Sequence, residues 1–247
     1  MRTTGNTILV TGGTSGIGLG LALRFHAAGN TVIVAGRRED RLRAIAAEHP
    51  GIATLVLDVA NPASVAAARE TVAASFPEVN VLVNNAGIML AEDPRDPGSL
   101  EIAERTVATN LLGPLRMLSA FLPMLLERDD AAVLNVSSGL AFVPLPATPT
   151  YSATKAAVHS WSESLRVRLA GTPVQVVELA PPAVRTSLMG QTDSEQAMPL
   201  EDFLDATMEI LRQDPDVREV LVDQVRFLRF AEAEGRYDDV LKLLAGH

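Results

Sequence analysis

Tyr151 and Lys155 stand four residues apart, a spacing that puts both side chains on one face of a helix. A phenol has a pKa of about 10 and is neutral at pH 7, so it can give its proton to an alkoxide developing on a carbonyl carbon. In the opposite direction it takes a proton, and then its pKa must fall. Bringing it near neutrality requires roughly 3 units, or about 4 kcal/mol, and a nearby ammonium supplies much of that by favouring the phenolate. Lys155 and Lys242 are the only lysines in a chain that otherwise uses arginine. A surface tyrosine beside a solvated lysine has the same spacing, so the pair gains meaning only from its surroundings.

A second group could hold a phosphate. Gly12, Thr14, Ser15, Gly16, Ile17 and Gly18 belong to a TGxxxGxG run that follows an apolar segment and opens a helical pattern. Glycines let backbone approach a pyrophosphate closely and set it at a helix N-terminus, where free N–H groups and the dipole favour anions. The spacing is neither GxGxxG nor a P-loop, which needs a lysine, and a plain glycine-rich turn is the alternative. The next apolar run ends Ala35-Gly36-Arg37-Arg38. An NAD site usually has an acid there for the ribose 2′-hydroxyl, whereas two guanidiniums suit a 2′-phosphate. We therefore expect NADP(H) in preference to NAD(H). Arg37 and Arg38 could instead solvate the next helix and pair with Glu39 and Asp40, and Thr14 and Ser15 add no charge.

Such groups need elements that aim them at one place. Near-continuous Val/Ile/Leu runs mark strands at 7–11, 31–35, 52–57, 79–83, 131–137, 174–179 and 218–222. Runs without strict alternation are buried on both faces. Helical patterns lie between them, at about 17–28, through 47, 61–75, 99–126 and 151–169, with another over 227–244. Strand–helix repetition of this kind predicts an α/β fold, a Rossmann-like doubly wound parallel sheet of about seven strands with helices on both faces. No linker or repeat interrupts the chain, so 1–247 is read as a single domain, with 188–215 as a substrate lid. Every chemical group above falls at a strand's carboxyl end or in the following helix, where such sheets bind ligands.

Three further stations complete a pattern. Asn84-Asn85-Ala86-Gly87 ends the fourth strand, Ser137-Ser138 ends the fifth, and Tyr151-Ser152-Ala153-Thr154-Lys155 opens the helix after it. With the glycine loop, these residues resemble the short-chain dehydrogenase/reductase family from about residue 5 to 190. Ser138-Gly-Leu-Ala-Phe and Ala180-Pro-Pro are similar to the branch that includes the DltE-like oxidoreductases. The resemblance implies an enzyme that moves a hydride between a nicotinamide cofactor and a ketone, aldehyde or secondary alcohol. It implies Tyr151 as proton donor, Lys155 beside it, Ser138 holding the substrate oxygen, and Asn110 holding a water that links Lys155 to solvent. Ser137, one residue earlier, is the rival to Ser138, and a helix kink is the plainer account of Asn110. It also implies adenine contacts at Asp58 and Val59, though Asp58 could equally cap the next helix. Nucleotide contacts are implied at Asn85, Ala86 and Gly87, at Tyr151 and Lys155, and near the nicotinamide amide at Pro181, Val184 and Thr186.

The chain departs from the family where Pro182 replaces the more usual glycine, and where no Asp-Gly-Gly follows the last strand. The substrate wall is read as Met89, Leu90, Phe142, Val143, Leu188 and Met189, which suits an apolar substrate. A non-catalytic nucleotide sensor on the same fold is the rival function, but it has no need of Ser138, Tyr151 and Lys155 together.

Composition removes other classes. The chain of 247 residues has no cysteine, which excludes disulfides, thiolate catalysis and Cys-ligated zinc. His26, His49, His159 and His247 lack metal-ligand spacing, so no metal is expected. His159 lies two turns beyond Tyr151 on the same face. A formal net charge of −9 without a basic run disfavours nucleic acid and anionic membranes. No apolar run resembling a leader or a spanning helix was read, so the expectation is a cytoplasmic enzyme, a homodimer or homotetramer, acting on a small molecule.

Overall fold

The computed structural model describes residues 1–246, and the side chains of all of these except 191–193; His247 lies outside the described residues. Seven parallel strands form one sheet: β1 (Thr7–Thr11), β2 (Thr31–Gly36), β3 (Ile52–Val56), β4 (Val81–Asn84), β5 (Ala131–Val136), β6 (Val174–Leu179) and β7 (Glu219–Val220). Their order is β3-β2-β1-β4-β5-β6-β7. The chain winds outward from β1 in one direction, then returns and winds the other way. The β1–β4 junction is therefore the switch point at which doubly wound sheets bind ligands.

The helices are α1 (Gly16–Ala27), α2 (Glu39–Glu48), α3 (Pro62–Ser75), α4 (Ser99–Asn110), α5 (Leu112–Leu126), α6 (Pro149–Arg168), α7 (Leu200–Gln213), α8 (Asp223–Arg229) and α9 (Tyr237–Ala245). They cover both faces. One core packs Leu21 and Phe25 of α1 and Phe203 and Leu204 of α7 on the sheet. The other packs Val65 and Val72 of α3 and Met117 and Phe121 of α5 on the opposite side. The central strands are buried along their length, which is why they read as unbroken apolar runs.

Five expectations change. The helix read over 99–126 breaks at Leu111, with φ −110° and ψ −60°. Pro114 has no N–H to give the Asn110 carbonyl four residues before it, and a proline there favours a break. The stretch Ser99–Leu126 is also long and apolar enough, by composition, to cross a membrane, which the sequence reading missed; Met117, Phe121 and Leu125 are fully buried in the core. The lid read over 188–215 is too long, because α7 is a core helix. Its contact with α1 is so close that a Cβ on Gly20 would lie 2.1 Å from Leu204 Cδ1. The exposed part ends at a short parallel bridge between Val184 and Met198. Finally, the helix read over 227–244 is two helices, α8 and α9, separated by a turn with Gly235 at φ +68°, and β7 is shorter than the run 218–222.

Candidate active site

The loop after β1 is locked to the loop after β4. Gly12 has φ +64°, and a Cβ on it would lie 2.6 Å from Ala86 Cα. Thr11 Oγ1 donates to Val83 O at 3.1 Å and accepts from Asn85 N and Ala86 N at 3.0 and 3.1 Å. Asn85 Nδ2 donates to Thr11 O and Gly12 O at 3.0 and 3.1 Å. A Cβ on Gly18 would meet Asn85 Nδ2 at 2.3 Å. The first turn of α1 has no acidic residue and no side-chain cap from Ser15, so its N–H groups are left for an anion.

The two arginines do different things. Arg38 donates to Thr14 Oγ1 at 2.7 Å and Ser15 Oγ at 2.8 Å, clamping the glycine loop. Arg37 is exposed, lines the cleft and forms no ion pair among the described residues. Neither arginine pairs with Glu39 or Asp40; Glu39 pairs instead with Arg43 at 3.6 Å. Asp58 and Val59 also line the cleft. Asp58 Oδ1 accepts from Ala60 N at 2.9 Å, and the cap of α3 comes from Asn61. Gly16, Ile17, Gly87, Pro181, Val184 and Thr186 all face the same cleft.

The catalytic candidates converge at the far end. Tyr151 and Lys155 sit in the first turns of α6, both buried. Lys155 Nζ is 5.6 Å from the Tyr151 ring centroid and donates to Val136 O at 2.7 Å. Ser138 lines the same cleft as Tyr151, and its Oγ accepts from Leu140 N at 3.1 Å. Ser137, the rival, donates to buried Glu178 at 2.5 Å, so its hydroxyl is committed behind the cleft. Burial pushes the phenol up to about 12, against a lowering contact from Ser138. It pushes the Lys155 amine down to about 8, against the nearby charge of Glu178. Burial is thus the larger influence on the phenol in the protein alone, and it favours the neutral form.

Asn110 is buried beside this group. Its Oδ1 accepts from Ile88 N and its Nδ2 donates to Ile88 O, both at 2.8 Å, so the side chain braces the loop after β4.

The substrate end differs from the reading. Met89 and Leu188 line the cleft, but Leu90, Phe142, Val143 and Met189 do not. Phe142 turns its ring towards His159 at 4.8 Å, with the Arg229 guanidinium over it. Val143 is fully buried against Ala231 and Val240. Met189, at φ +54°, is exposed, and Leu90 is half-buried outside the cleft lining. The apolar wall is made instead by Leu140, Leu145, Leu228, Leu243 and Leu244. Three of these come from α8 and α9, which no local motif ties to the site. The whole cleft has a volume of about 750 Å³, large enough for a dinucleotide end and a small substrate.

Comparison with known proteins agrees with this geometry. The family model described as short chain dehydrogenase matches residues 6–197. The chain is 42% identical over 199 residues to an uncharacterized oxidoreductase, DltE, of Bacillus subtilis, covering 80% of this chain and 79% of that one. It is 38% identical over 175 residues to the NADP-dependent 3-hydroxy acid dehydrogenase YdfG of Salmonella typhi, covering 70% and 71%. Among solved structures it is similar to a short chain dehydrogenase from Burkholderia cenocepacia in complex with NADP, with a TM-score of 0.83 at 26% identity, covering 98% of this chain and 99% of that one.

Proposed function

The chain belongs to the short-chain dehydrogenase family, and from that premise we propose that it is an NADP(H)-dependent oxidoreductase acting on an uncharged, apolar ketone, aldehyde or secondary alcohol. The observation that carries this reading is that Ser138 and the buried Tyr151–Lys155 pair line one cleft together with a glycine loop clamped by Arg38.

The residues fit a nicotinamide dinucleotide. Gly12 and Gly18 leave space that a Cβ would fill, and the uncapped start of α1 suits a pyrophosphate. Arg37 suits a 2′-phosphate, and Arg38 holds the loop that receives the pyrophosphate. Asp58, Val59, Asn85, Ala86, Gly87, Pro181, Val184 and Thr186 would complete the cradle. When bound, the cofactor supplies or accepts the hydride.

The chain supplies the rest. Ser138 orients the substrate oxygen towards the Tyr151 hydroxyl, and in reduction Tyr151 donates its proton to the alkoxide. Lys155 stands behind the phenol as the charge that stabilises it once the proton has left. A water at the Asn110 carbonyl, where α4 breaks, would return a proton by way of Lys155. Leucines from three segments exclude water from the reacting end. Among the described lining residues the cations are Arg37, Arg38 and Lys155, none at this leucine wall, which favours an uncharged substrate over an acid.

The test is NADPH consumption against a panel of apolar ketones and aldehydes, followed by Tyr151→Phe. The reading expects turnover to fall at least about 10²-fold with NADPH affinity near wild type. Retained turnover in the variant, or none with any carbonyl in the wild type, removes it.

A further inference from the structure

Behind the cleft wall, Glu178 is fully buried near the carboxyl end of β6. A carboxylate at such a position costs several kcal/mol unless it is paired, and an ordinary buried strand position takes valine. Ser137 Oγ donates to Glu178 Oε1 at 2.5 Å. His159 Nδ1 lies 2.9 Å from Oε2, and Arg166 Nη2 lies 3.6 Å from it. His159 and Lys155 are one turn apart on α6. Lys155 reaches Val136 O on the neighbouring strand end, in register beside Leu179. The Glu178 carboxylate thus binds the residue one turn beyond Lys155 on α6, while Lys155 itself is held at the end of the strand beside β6.

The surrounding charges are fixed by their own pairs. Arg229 of α8 binds Glu219 through two contacts, at 2.9 and 3.0 Å. Arg166 also pairs with Glu163 at 3.2 Å. His159, Glu178 and Glu219 lie close enough for a metal ion, but both carboxylates are already engaged by guanidinium, hydroxyl and imidazole groups. Neutralising Glu178 would remove the buried carboxylate that faces Lys155, His159 and Arg166, leaving Glu163 and Glu219 paired with Arg166 and Arg229.

We propose that Glu178 is a positioning residue for the catalytic pair, a sealed carboxylate that sustains the positive charge of Lys155. This rests on Tyr151 and Lys155 being that pair. The direction of the Lys155 pKa agrees: burial lowers it, and Glu178 is the charge that opposes the lowering. The hydrogen bond to Glu178 also raises the His159 pKa, against a lowering by burial.

Two lysines make the test direct. With 13Cε-labelled lysine, the chain gives one buried signal from Lys155 and one exposed reference from Lys242. No substrate or cofactor is needed, so the outcome is independent of whether the enzyme reading holds. Glu178→Gln should lower the Lys155 titration midpoint by about one pH unit or more, as loss of a close opposite charge does, with Lys242 unmoved. Glu178→Asp should recover most of the shift. Glu178→Met, an apolar side chain of similar length, serves if Glu178→Gln does not fold. A Lys155 midpoint unchanged in whichever of these two variants folds overturns the proposal. Given activity, the alkaline limb of the kcat/KM profile should move down with the midpoint in Glu178→Gln, whereas a purely structural role would lower the profile without moving it.

Discussion

Lys155 lies one helical turn beyond Tyr151, with its Nζ 5.6 Å from the ring centroid and one N–H given to the Val136 carbonyl. Burial moves the two groups towards neutrality from opposite sides, the phenol up to about 12 and the amine down to about 8. On the function proposed above, a neutral phenol is the form that donates a proton, and the charge on Lys155 is the adjustable part of the pair.

That setting has a stability consequence. A lysine whose pKa is about 10.5 when unfolded and about 8 when folded holds fewer protons in the native state between those values. Stability contributed at this position therefore rises with pH through that window. Tyr151 acts the other way: its raised pKa contributes stability that is complete below pH 10 and lost only as pH climbs towards 12. Relative to Lys155→Met, wild type should gain about 2 kcal/mol between pH 7.5 and pH 10. Urea unfolding at the two pH values measures it; a constant difference means that Lys155 titrates normally.

Arg37 and Arg38 separate by experiment. Arg37 reaches the cleft without an internal ion pair, so Arg37→Asp should shift the NADP/NAD ratio of kcat/KM by about tenfold or more, the worth of one charge-assisted contact. Arg38 clamps Thr14 and Ser15, so Arg38→Ala should weaken both cofactors together. An unchanged ratio in Arg37→Asp rejects the assignment of 2′-phosphate selectivity to that residue.

Gly18 tests the cradle. A Cβ there would lie 2.3 Å from Asn85 Nδ2 and 2.5 Å from Gly12 O, and Asn85 is the side chain that ties the two loops together. Gly18→Ala should cut NADPH affinity by more than about tenfold, roughly 1.4 kcal/mol, while circular dichroism keeps its native form. NADPH affinity equal to wild type means that the cofactor does not depend on this loop.

What was legible in the sequence follows from how local the determinants are. The glycine loop, Asn85–Gly87, Ser138 and the Tyr151–Lys155 turn are each fixed by a few neighbouring residues at a strand end, so their clustering could be read from the strand–helix alternation. Ser138 was separable from Ser137 only with Glu178 in view, 41 residues further on. The break at Leu111 had a local signal in Pro114, which was overlooked because the apolar pattern runs through it. The substrate wall had no such signal. Phe142 and Val143 are apolar in sequence for the same reason that cleft residues are, yet tertiary packing takes them to His159 and to Val240. α7 fell inside the stretch read as a lid; its buried face, packed on α1, makes it core.

The last prediction concerns the wall that only the fold revealed. Leu228 is held firmly, because α8 packs so closely on the turn at 139–141 that a Cβ on Gly139 would lie 2.7 Å from Leu228 Cδ1. Leu243 and Leu244, at the end of α9, close the same apolar end with fewer constraints. Leu244→Arg therefore places a charge against the substrate without disturbing the sheet. Kcat/KM for an apolar ketone should drop about tenfold or more, as an uncompensated charge is set against apolar surface, and NADPH affinity should hold. The same guanidinium should improve turnover of an oxo acid, whose carboxylate it can pair. Steady-state kinetics on one ketone and one oxo acid decide it: equal changes for both substrates would show that α9 does not contact the substrate.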